Sequence, residues 1–341
     1  PFGSFFSRLD HRVFQVCKDL KKKSQKVILI SRNPNIRLKG NQLGIDTELF
    51  KDEIFPKPCD QYKGIVEVFM PGSSLEKMFT DERGVPVEEV YQYENFDWIE
   101  NEFVEIVSDT SKAIGRYTNG RIVRLKYDKS IPGGHKALNV EQVVFWESLL
   151  MPPDIAPLVV TKGVAGTGKT YCSLAMALNA IEKKGDKKKQ TYKQIIVATP
   201  TVTVANEELG FLPGEIDDKV GPYLGGIVDN LKEILRQKFP DFTNAELKKK
   251  AMEFFERGDI EIQPIGFLRG RTIPNTVFII DETQNIKPCD IKDIVTRSAE
   301  GSKFIFLGDA DQVNNPALNS RYNGLVYLSE KMKGNPHTFQ I

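Results

Sequence analysis

Gly163-Val164-Ala165-Gly166-Thr167-Gly168-Lys169-Thr170 is the stretch that decides the fold. It meets the pattern G-x-x-x-x-G-K-[ST] at every fixed position, the signature of a loop that wraps phosphate. The apolar, β-branched run Leu158-Val159-Val160-Thr161 precedes it, and Tyr171-Cys172-Ser173-Leu174-Ala175-Met176-Ala177-Leu178 follows without a helix breaker. Strand, glycine loop and helix N-terminus in that order bring backbone N–H groups and the positive end of a helix dipole to one point. Gly163 through Tyr171 are therefore the expected phosphate cradle. Lys169 is expected to reach the β- and γ-phosphates, and the Thr170 hydroxyl to ligate Mg²⁺.

Two further strands end in polar residues. Thr276-Val277-Phe278-Ile279-Ile280 delivers Asp281-Glu282, and a charged pair directly after an apolar run has no inexpensive structural explanation. Asp281 is expected to hold Mg²⁺ through water, and Glu282 to orient and deprotonate an attacking water. Lys303-Phe304-Ile305-Phe306-Leu307 ends in Gly308-Asp309-Ala310-Asp311-Gln312, where Gln312 is placed to read the γ-phosphate with Asp309 in support. Upstream, Gln142 lies about one helix and one strand before the loop. A side-chain amide can donate to adenine N7 and accept from N6 together, although an exposed helix Gln also fits. Strands carrying such ends, separated by helices, predict an α/β fold built on a parallel sheet.

A chain of 341 residues has room for two or three domains, and 40% apolar with 27% charged residues is the composition of a soluble globular protein. A net charge of +1 argues against a uniformly basic nucleic-acid binder and leaves a local basic groove open. Cys17, Cys59, Cys172 and Cys289 are far apart with no C-x-x-C, so reduced thiols in the cytoplasm are the simpler expectation than zinc or disulfides. No apolar run reaches membrane-spanning length. Pro1 is not a start methionine, so the chain reads as a fragment or one lacking its ends.

Three regions are expected: 1–57, 58–130 and 131–341. In the first, Val13, Val16, Cys17 and Leu20 recur at helical spacing before the strand Val27-Ile28-Leu29-Ile30. Pro56 and Pro58 mark a linker. The second is a small β-rich domain with its clearest strands at Ile65–Met70 and Arg121–Tyr127. Arg121, Arg124 and Lys126 put three cations on one strand, as a nucleic-acid path or a charged edge would have them. In the third, the lysine-rich run 183–193 suits either a phosphate-backbone contact or a solvated connection. Residues 222–257 read as helical with Pro222 in the first turn.

The phosphate loop, Asp281-Glu282-Thr283-Gln284 and Gly308-Asp-x-x-Gln312 together resemble the first RecA-like domain of superfamily 1 helicases. More closely, Gly210-Phe211-Leu212-Pro213-Gly214, Arg269-Gly270-Arg271-Thr272, Asp281-Glu282-x-Gln284-Asn285 and Thr296-Arg297 resemble the PhoH family of ATPases. Residues 10–45 resemble the second half of a PIN nuclease domain, whose metal-binding acids would fall on Asp10 and on Ser31-Arg32-Asn33; Asp10 also suits a helix N-cap. With Asn101-Glu102-Phe103-Val104, the whole chain is similar to PIN–PhoH fusion proteins. That resemblance implies ATP with Mg²⁺, single-stranded RNA as partner, ATP-driven unwinding and a hexameric ring. It also implies PIN ribonuclease activity, with Mn²⁺ as a possible metal.

Three departures stand out. Asn33 replaces a metal-binding Asp, and Thr199 replaces a frequent Arg before Pro200. The chain also stops at Ile341, before the strand on which the family carries a further Arg. An arginine supplied by a neighbouring subunit is then expected, with Arg269, Arg271 and Arg297 as candidates and Arg271 or Arg297 favoured. Two other functions fit the same residues: an ATP-gated ribonuclease, and a nucleotide-binding scaffold with no nucleic-acid partner.

Overall fold

The computed structural model describes residues 8–23, 26–31, 33–48, 55–90, 97–109, 111–127, 134–182, 192–200, 216–268 and 272–341. The chain divides into two compact units, Pro1–Ile54 and Phe55–Ile341.

The first unit comprises α1 (Arg8–Lys22), β1 (Ile28–Ile30), α2 (Pro34–Gln42) and β2 (Asp46–Glu48), the two strands pairing in parallel. Its core is Phe14, Cys17, Leu29 and Ile45. The apolar spacing of α1 is real, but among the described side chains of that helix only Phe14 and Cys17 are buried, while Val13, Val16 and Leu20 are exposed. A two-stranded sheet offers too little surface to cover both sides of that stripe.

The second unit begins with a five-stranded mixed sheet ordered β3-β5-β6-β7-β4. Its elements are β3 (Ile65–Phe69), α3 (Gly72–Thr80), β4 (Val85–Pro86), β5 (Phe103–Val107), β6 (Lys112–Thr118) and β7 (Arg121–Arg124). The hairpin between β6 and β7 turns on Asn119 and Gly120, both at positive φ (49° and 74°), as a two-residue turn matching the strand twist requires. Arg121 turns back to donate to the carbonyls of Arg83 and Gly84 at 2.8 and 2.7 Å, so its guanidinium serves the sheet itself.

The rest of the unit is an all-parallel, six-stranded sheet with helices on both faces, an α/β fold of the RecA-like phosphate-loop kind. In chain order it runs α4 (Val140–Leu150), β8 (Leu158–Lys162), α5 (Lys169–Glu182), β9 (Gln194–Thr199), α6 (Ile216–Lys238), α7 (Asn244–Glu256), β10 (Ile260–Pro264), β11 (Thr276–Ile280), α8 (Pro288–Val295), β12 (Lys303–Gly308), α9 (Gly324–Met332) and β13 (Thr338–Gln340). The strands lie in the order β10-β9-β11-β12-β8-β13. Side-chain alternation divides the core. Val159, Val197, Ile279 and Ile305 pack with α4, α5, α6 and α7, and Val160, Ile196, Ile280 and Phe306 pack with α8 and α9. The helical reading of 222–257 resolves into two helices, broken where Pro240 intervenes and restarted by a capping box of Thr243 and Glu246. Pro222 lies in the interior of α6, not in its first turn.

Two buried charges knit this architecture together. The Glu147 carboxylate on α4 accepts from the backbone N–H groups of Lys126 and Tyr127 at 3.0 and 2.7 Å, fastening the chain as it leaves the small sheet. Lys303, wholly buried at the start of β12, donates to the carbonyls of Ser148, Leu149 and Met151 at 2.9, 2.8 and 2.7 Å. Those carbonyls end α4 and would otherwise lack partners. The small sheet also packs along β13. Asn101 Nδ2 donates to the Pro336 carbonyl at 2.8 Å, Phe103 meets Phe339, and the Arg116 guanidinium stacks 5.2 Å over the Phe339 ring.

Candidate functional site: a strand-end phosphate cleft

The carboxyl ends of β8, β11 and β12 lie side by side, with Ile280 opposite Phe306 and Gly308 opposite Lys162 in register. In such sheets the carboxyl edge is where ligands bind. Here it opens a cleft of about 380 Å³ lined by Gly168, Lys169, Thr170, Asp281, Glu282 and Gln312 among others. A wider groove of about 540 Å³, lined by Trp98, Tyr117, Glu330 and Lys333, lies away from these strand ends and has no glycine loop.

The loop is pinned at both ends. Gly163 N–H donates to the Gly308 carbonyl at 3.0 Å, tying its entry to β12, and the Thr167 hydroxyl donates to the Val164 carbonyl at 2.8 Å. Gly166 and Gly168 sit at φ +81° and +83°, a region that a side chain would strain, so the curl depends on glycine at both places. Lys169 Nζ lies inside the curl and donates to the carbonyls of Gly163 and Val164 at 2.6 and 2.8 Å. Burial lowers its pKa, and the nearby carboxylates of Asp281, Asp309 and Glu282 oppose that shift.

Asp281 is held by three donors and acceptors. Its N–H reaches the Ala198 carbonyl at 3.0 Å, its Oδ2 accepts from the Thr170 hydroxyl at 2.8 Å, and its Oδ1 accepts from Glu282 N–H at 2.9 Å. Glu282 adopts the left-handed conformation, φ 53° and ψ 36°, which costs a non-glycine residue about 1–3 kcal/mol and persists only where its surroundings enforce it. Here the enforcing bonds run to its own carboxylate: Gln284 Nε2 donates to Glu282 Oε2 at 2.7 Å and Asn285 Nδ2 at 3.3 Å. Burial, then the Asp281 charge, raises the Glu282 pKa; the Gln284 hydrogen bond and Lys169 act against that.

Gln284 and Asn285, to which the sequence reading gave no role, support the site through their side-chain amides. Both are buried. Gln284 Nε2 also donates to the Gln312 carbonyl at 3.1 Å, while its Oε1 accepts from Asp309 N–H at 3.1 Å. Asn285 Oδ1 accepts from the N–H groups of Asn314 and Asn315 at 2.7 and 3.2 Å. The two amides therefore join the Glu282 carboxylate to the whole 309–315 turn. Gly308 leaves room for this: a Cβ there would stand 2.3 Å from Gln284 Oε1. Gln312 lines the cleft, exposed at its mouth.

Gln142 stands beside the loop. Its Nε2 donates to the Thr167 carbonyl at 3.2 Å and its Oε1 accepts from Leu138 N–H at 2.9 Å. An amide has two donors and two acceptor lone pairs, so one of each remains for a base edge. The Tyr171 ring meets His135 edge-on at 4.7 Å. From the far wall, α6 contributes Asn230, which no motif had singled out.

The remaining expected residues fall elsewhere. Arg297 is exposed just past α8, and its neighbour Ser298 lines a hollow with Pro157 and Leu158 at the opposite, amino edge of the sheet. Within its own chain it does not reach the cleft. Arg269 and Arg271, the 210–214 segment, most of the lysine run and the Asp10 side chain lie outside the described residues. Asn33 caps α2, its Oδ1 accepting from Asn35 N–H at 2.9 Å. Among the described residues no three His, Cys, Asp or Glu side chains cluster as a metal site. Thr170 and Asp281 offer one hydroxyl and one carboxylate, a donor set suited to Mg²⁺ that completes its shell with phosphate oxygens and water.

Compared with known proteins, residues 136–341 match the family described as PhoH-like protein. The chain belongs to that family. The likeness of this PhoH-like chain to its relatives also extends to the residues ahead of that segment. It is 33% identical to Protein PhoH2 of Bacillus subtilis (strain 168) over 96% of this chain and 72% of that protein. Protein PhoH2 of Mycolicibacterium smegmatis is 25% identical over 98% of this chain and 71% of its own length. A PhoH-like protein of Bacillus subtilis is 40% identical over 52% of this chain and 49% of its own length.

Proposed function

We propose that this PhoH-like protein binds and hydrolyses ATP in the strand-end cleft and uses the cycle to move along and unwind single-stranded RNA. The observation that carries the reading is the convergence of Lys169, Thr170, Asp281 and Glu282 on one cleft, with Thr170 bonded to Asp281. Lys169 exchanges the Gly163 and Val164 carbonyls for β- and γ-phosphate oxygens, and the glycine loop presents its N–H groups to the same oxygens. Thr170 and Asp281 would hold Mg²⁺, which when bound offsets phosphate charge. Glu282 accepts a proton from the attacking water at a carboxylate already aimed by Gln284 and Asn285. Gln312, on the turn those amides hold, reads whether a γ-phosphate is present.

The cation for the transferring phosphoryl group is assigned to Arg271 or Arg297 of a neighbouring copy in a ring, a hexamer by family likeness. Arg297 can serve only in that way, given its place at the amino edge of its own sheet. A motor is preferred to an ATP-gated ribonuclease because the Asn33 amide, where a metal ligand would stand, is used to cap α2. Cys17, Cys59, Cys172 and Cys289 are all free thiols, and we place the activity in the cytoplasm. Among the described residues no helix is long and apolar enough to cross a membrane.

The test is ATP turnover with and without single-stranded RNA, together with displacement of an RNA strand from a tailed duplex. RNA stimulation and ATP-dependent displacement support the motor; turnover indifferent to RNA would leave a nucleotide-binding scaffold.

A further inference from the structure

Lys162 is the last residue of β8, directly ahead of Gly163, where the phosphate loop begins. Its backbone N–H donates to the Ile341 carbonyl at 2.7 Å, and its Nζ donates to the carbonyl of Tyr62, 100 residues earlier in the chain. Burial lowers its pKa to about 8 and Glu330 opposes that shift, so at neutral pH the donor is an ammonium and the bond is of the stronger, charge-assisted kind. No step of the nucleotide chemistry described above uses this cation.

The segment that supplies the Tyr62 carbonyl is fixed from other sides. Arg321 Nε donates to the Phe55 carbonyl at 2.9 Å, and the Phe55 ring meets Tyr327 edge-on at 6.0 Å. Gln61 Nε2 bridges the carbonyls of Pro56 and Ser320, at 3.2 Å each. Tyr62 N–H donates to Glu330 Oε1 at 3.0 Å, and Lys333 Nζ lies 5.3 Å from the centre of the Tyr62 ring. Residues 55–62 are therefore a strap laid on α9 and the 319–322 turn, and Lys162 joins that strap to the start of the phosphate loop. Strap and loop together wall a hollow of about 290 Å³, and Asp309 lines both this hollow and the phosphate cleft. The loop's entry is thus held from two directions, to β12 through Gly163 N–H and the Gly308 carbonyl, and to the strap through Lys162. A loop already in its binding shape costs less to order when its ligand arrives. We propose that Lys162 is a positioning residue for the phosphate loop: by fastening the loop's entry to the 55–62 strap, it sets how tightly the cleft holds a nucleoside triphosphate. This rests on the phosphate-cleft reading above.

The test uses the full chain as wild type, Lys162→Met, Gln61→Ala, the two combined, and Lys169→Ala. Equilibrium binding of a fluorescent ATP analogue is measured alongside ATP turnover and thermal melting of the nucleotide-free protein. Lys162→Met keeps the length of the side chain without its donor. Loss of a hydrogen bond from a charged group shifts an equilibrium by about 10–100-fold, and the variant is expected near the lower end. KM for ATP should rise in step, with kcat and melting unchanged, as when binding common to ground and transition states is removed. Gln61→Ala frees the strap from the 319–322 turn and should weaken binding as well, with no further loss once Lys162→Met is present, because its effect passes through Lys162. Additive losses, a fall in kcat alone, or a lowered melting temperature in Lys162→Met overturn the positioning role. Wild-type affinity in Lys162→Met beside weakened binding in Lys169→Ala overturns it too. Wild-type affinity in both of those variants shows instead that the cleft is not the nucleotide site, and the proposal falls with it.

Discussion

Thr170 and Asp281, 111 residues apart in the chain, share a 2.8 Å hydrogen bond at the mouth of the sheet. The bond ties the phosphate loop to the strand bearing the carboxylates, and it makes the two halves of the cleft separable by mutation. Lys169→Ala removes the ammonium from the loop and is expected to abolish turnover and weaken nucleotide binding. Glu282→Gln keeps the shape but cannot take a proton, and general-base loss lowers rates by about 10²–10⁴-fold. ATP should remain bound to it during filter retention while turnover nearly stops; equal loss of binding in both variants contradicts the assigned roles.

The Gln284 amide stabilises the ionised form of Glu282 against burial and the Asp281 charge. Removing it in Gln284→Met must raise the Glu282 pKa further. A base works when ionised, so activity is lost as pH falls through that pKa, and the acid limb of the turnover–pH profile should move to higher pH. Recovery of turnover in alkaline buffer is the diagnostic part. A uniform loss at all pH values would mean that Gln284 acts only through the 309–312 turn.

Lys303 gives a prediction about stability. Burial pushes its pKa down to about 7, while the three carbonyls around Nζ favour the ammonium. The unfolded chain, with an ordinary lysine pKa of about 10.4, binds more protons between the two values, so folded-state stability from this residue rises with pH across that window. Paired denaturant titrations of wild type and Lys303→Met from pH 7 to 10 should show a difference that grows in favour of wild type. A constant difference would place the ammonium's pKa at its ordinary value.

Ring assembly is open to a mixing experiment. A Lys169→Ala protein contributes intact arginines, and an Arg297→Ala protein contributes an intact phosphate loop. An arginine finger contributes about 10³–10⁵-fold to turnover. If Arg297 acts across the interface, mixed rings regain activity that neither parent has. No recovery despite verified subunit exchange removes Arg297 from the chemistry, and the same design with Arg271→Ala then tests the other candidate.

The cleft was legible in the sequence because its chemistry demands particular residue types at strand ends, and Lys169, Thr170, Asp281 and Glu282 converge as such types must. What supports them was not. Gln284 and Asn285 look like ordinary polar residues until the fold brings the 309–315 turn against them. Nothing in the sequence marks Glu147 and Lys303 as buried, since a charge is buried only where backbone partners from elsewhere in the chain meet it. The three-residue strand β13 carries too short a pattern to register. The stripe of α1 was visible, but which half of it would be covered depended on the size of the sheet beneath.

The packing of the small sheet along β13 has a practical consequence. A parallel sheet whose outermost strand is bare invites strands from other molecules. Here that strand is screened: Gly64 lies so close that a Cβ would stand 2.2 Å from the Gln340 carbonyl, and Asn101 occupies the Pro336 carbonyl. A shortened chain starting at residue 131 would uncover the edge and lose the Glu147 anchor's partners at Lys126 and Tyr127, and is expected to self-associate through that edge. The place to divide this protein for study is ahead of Phe55.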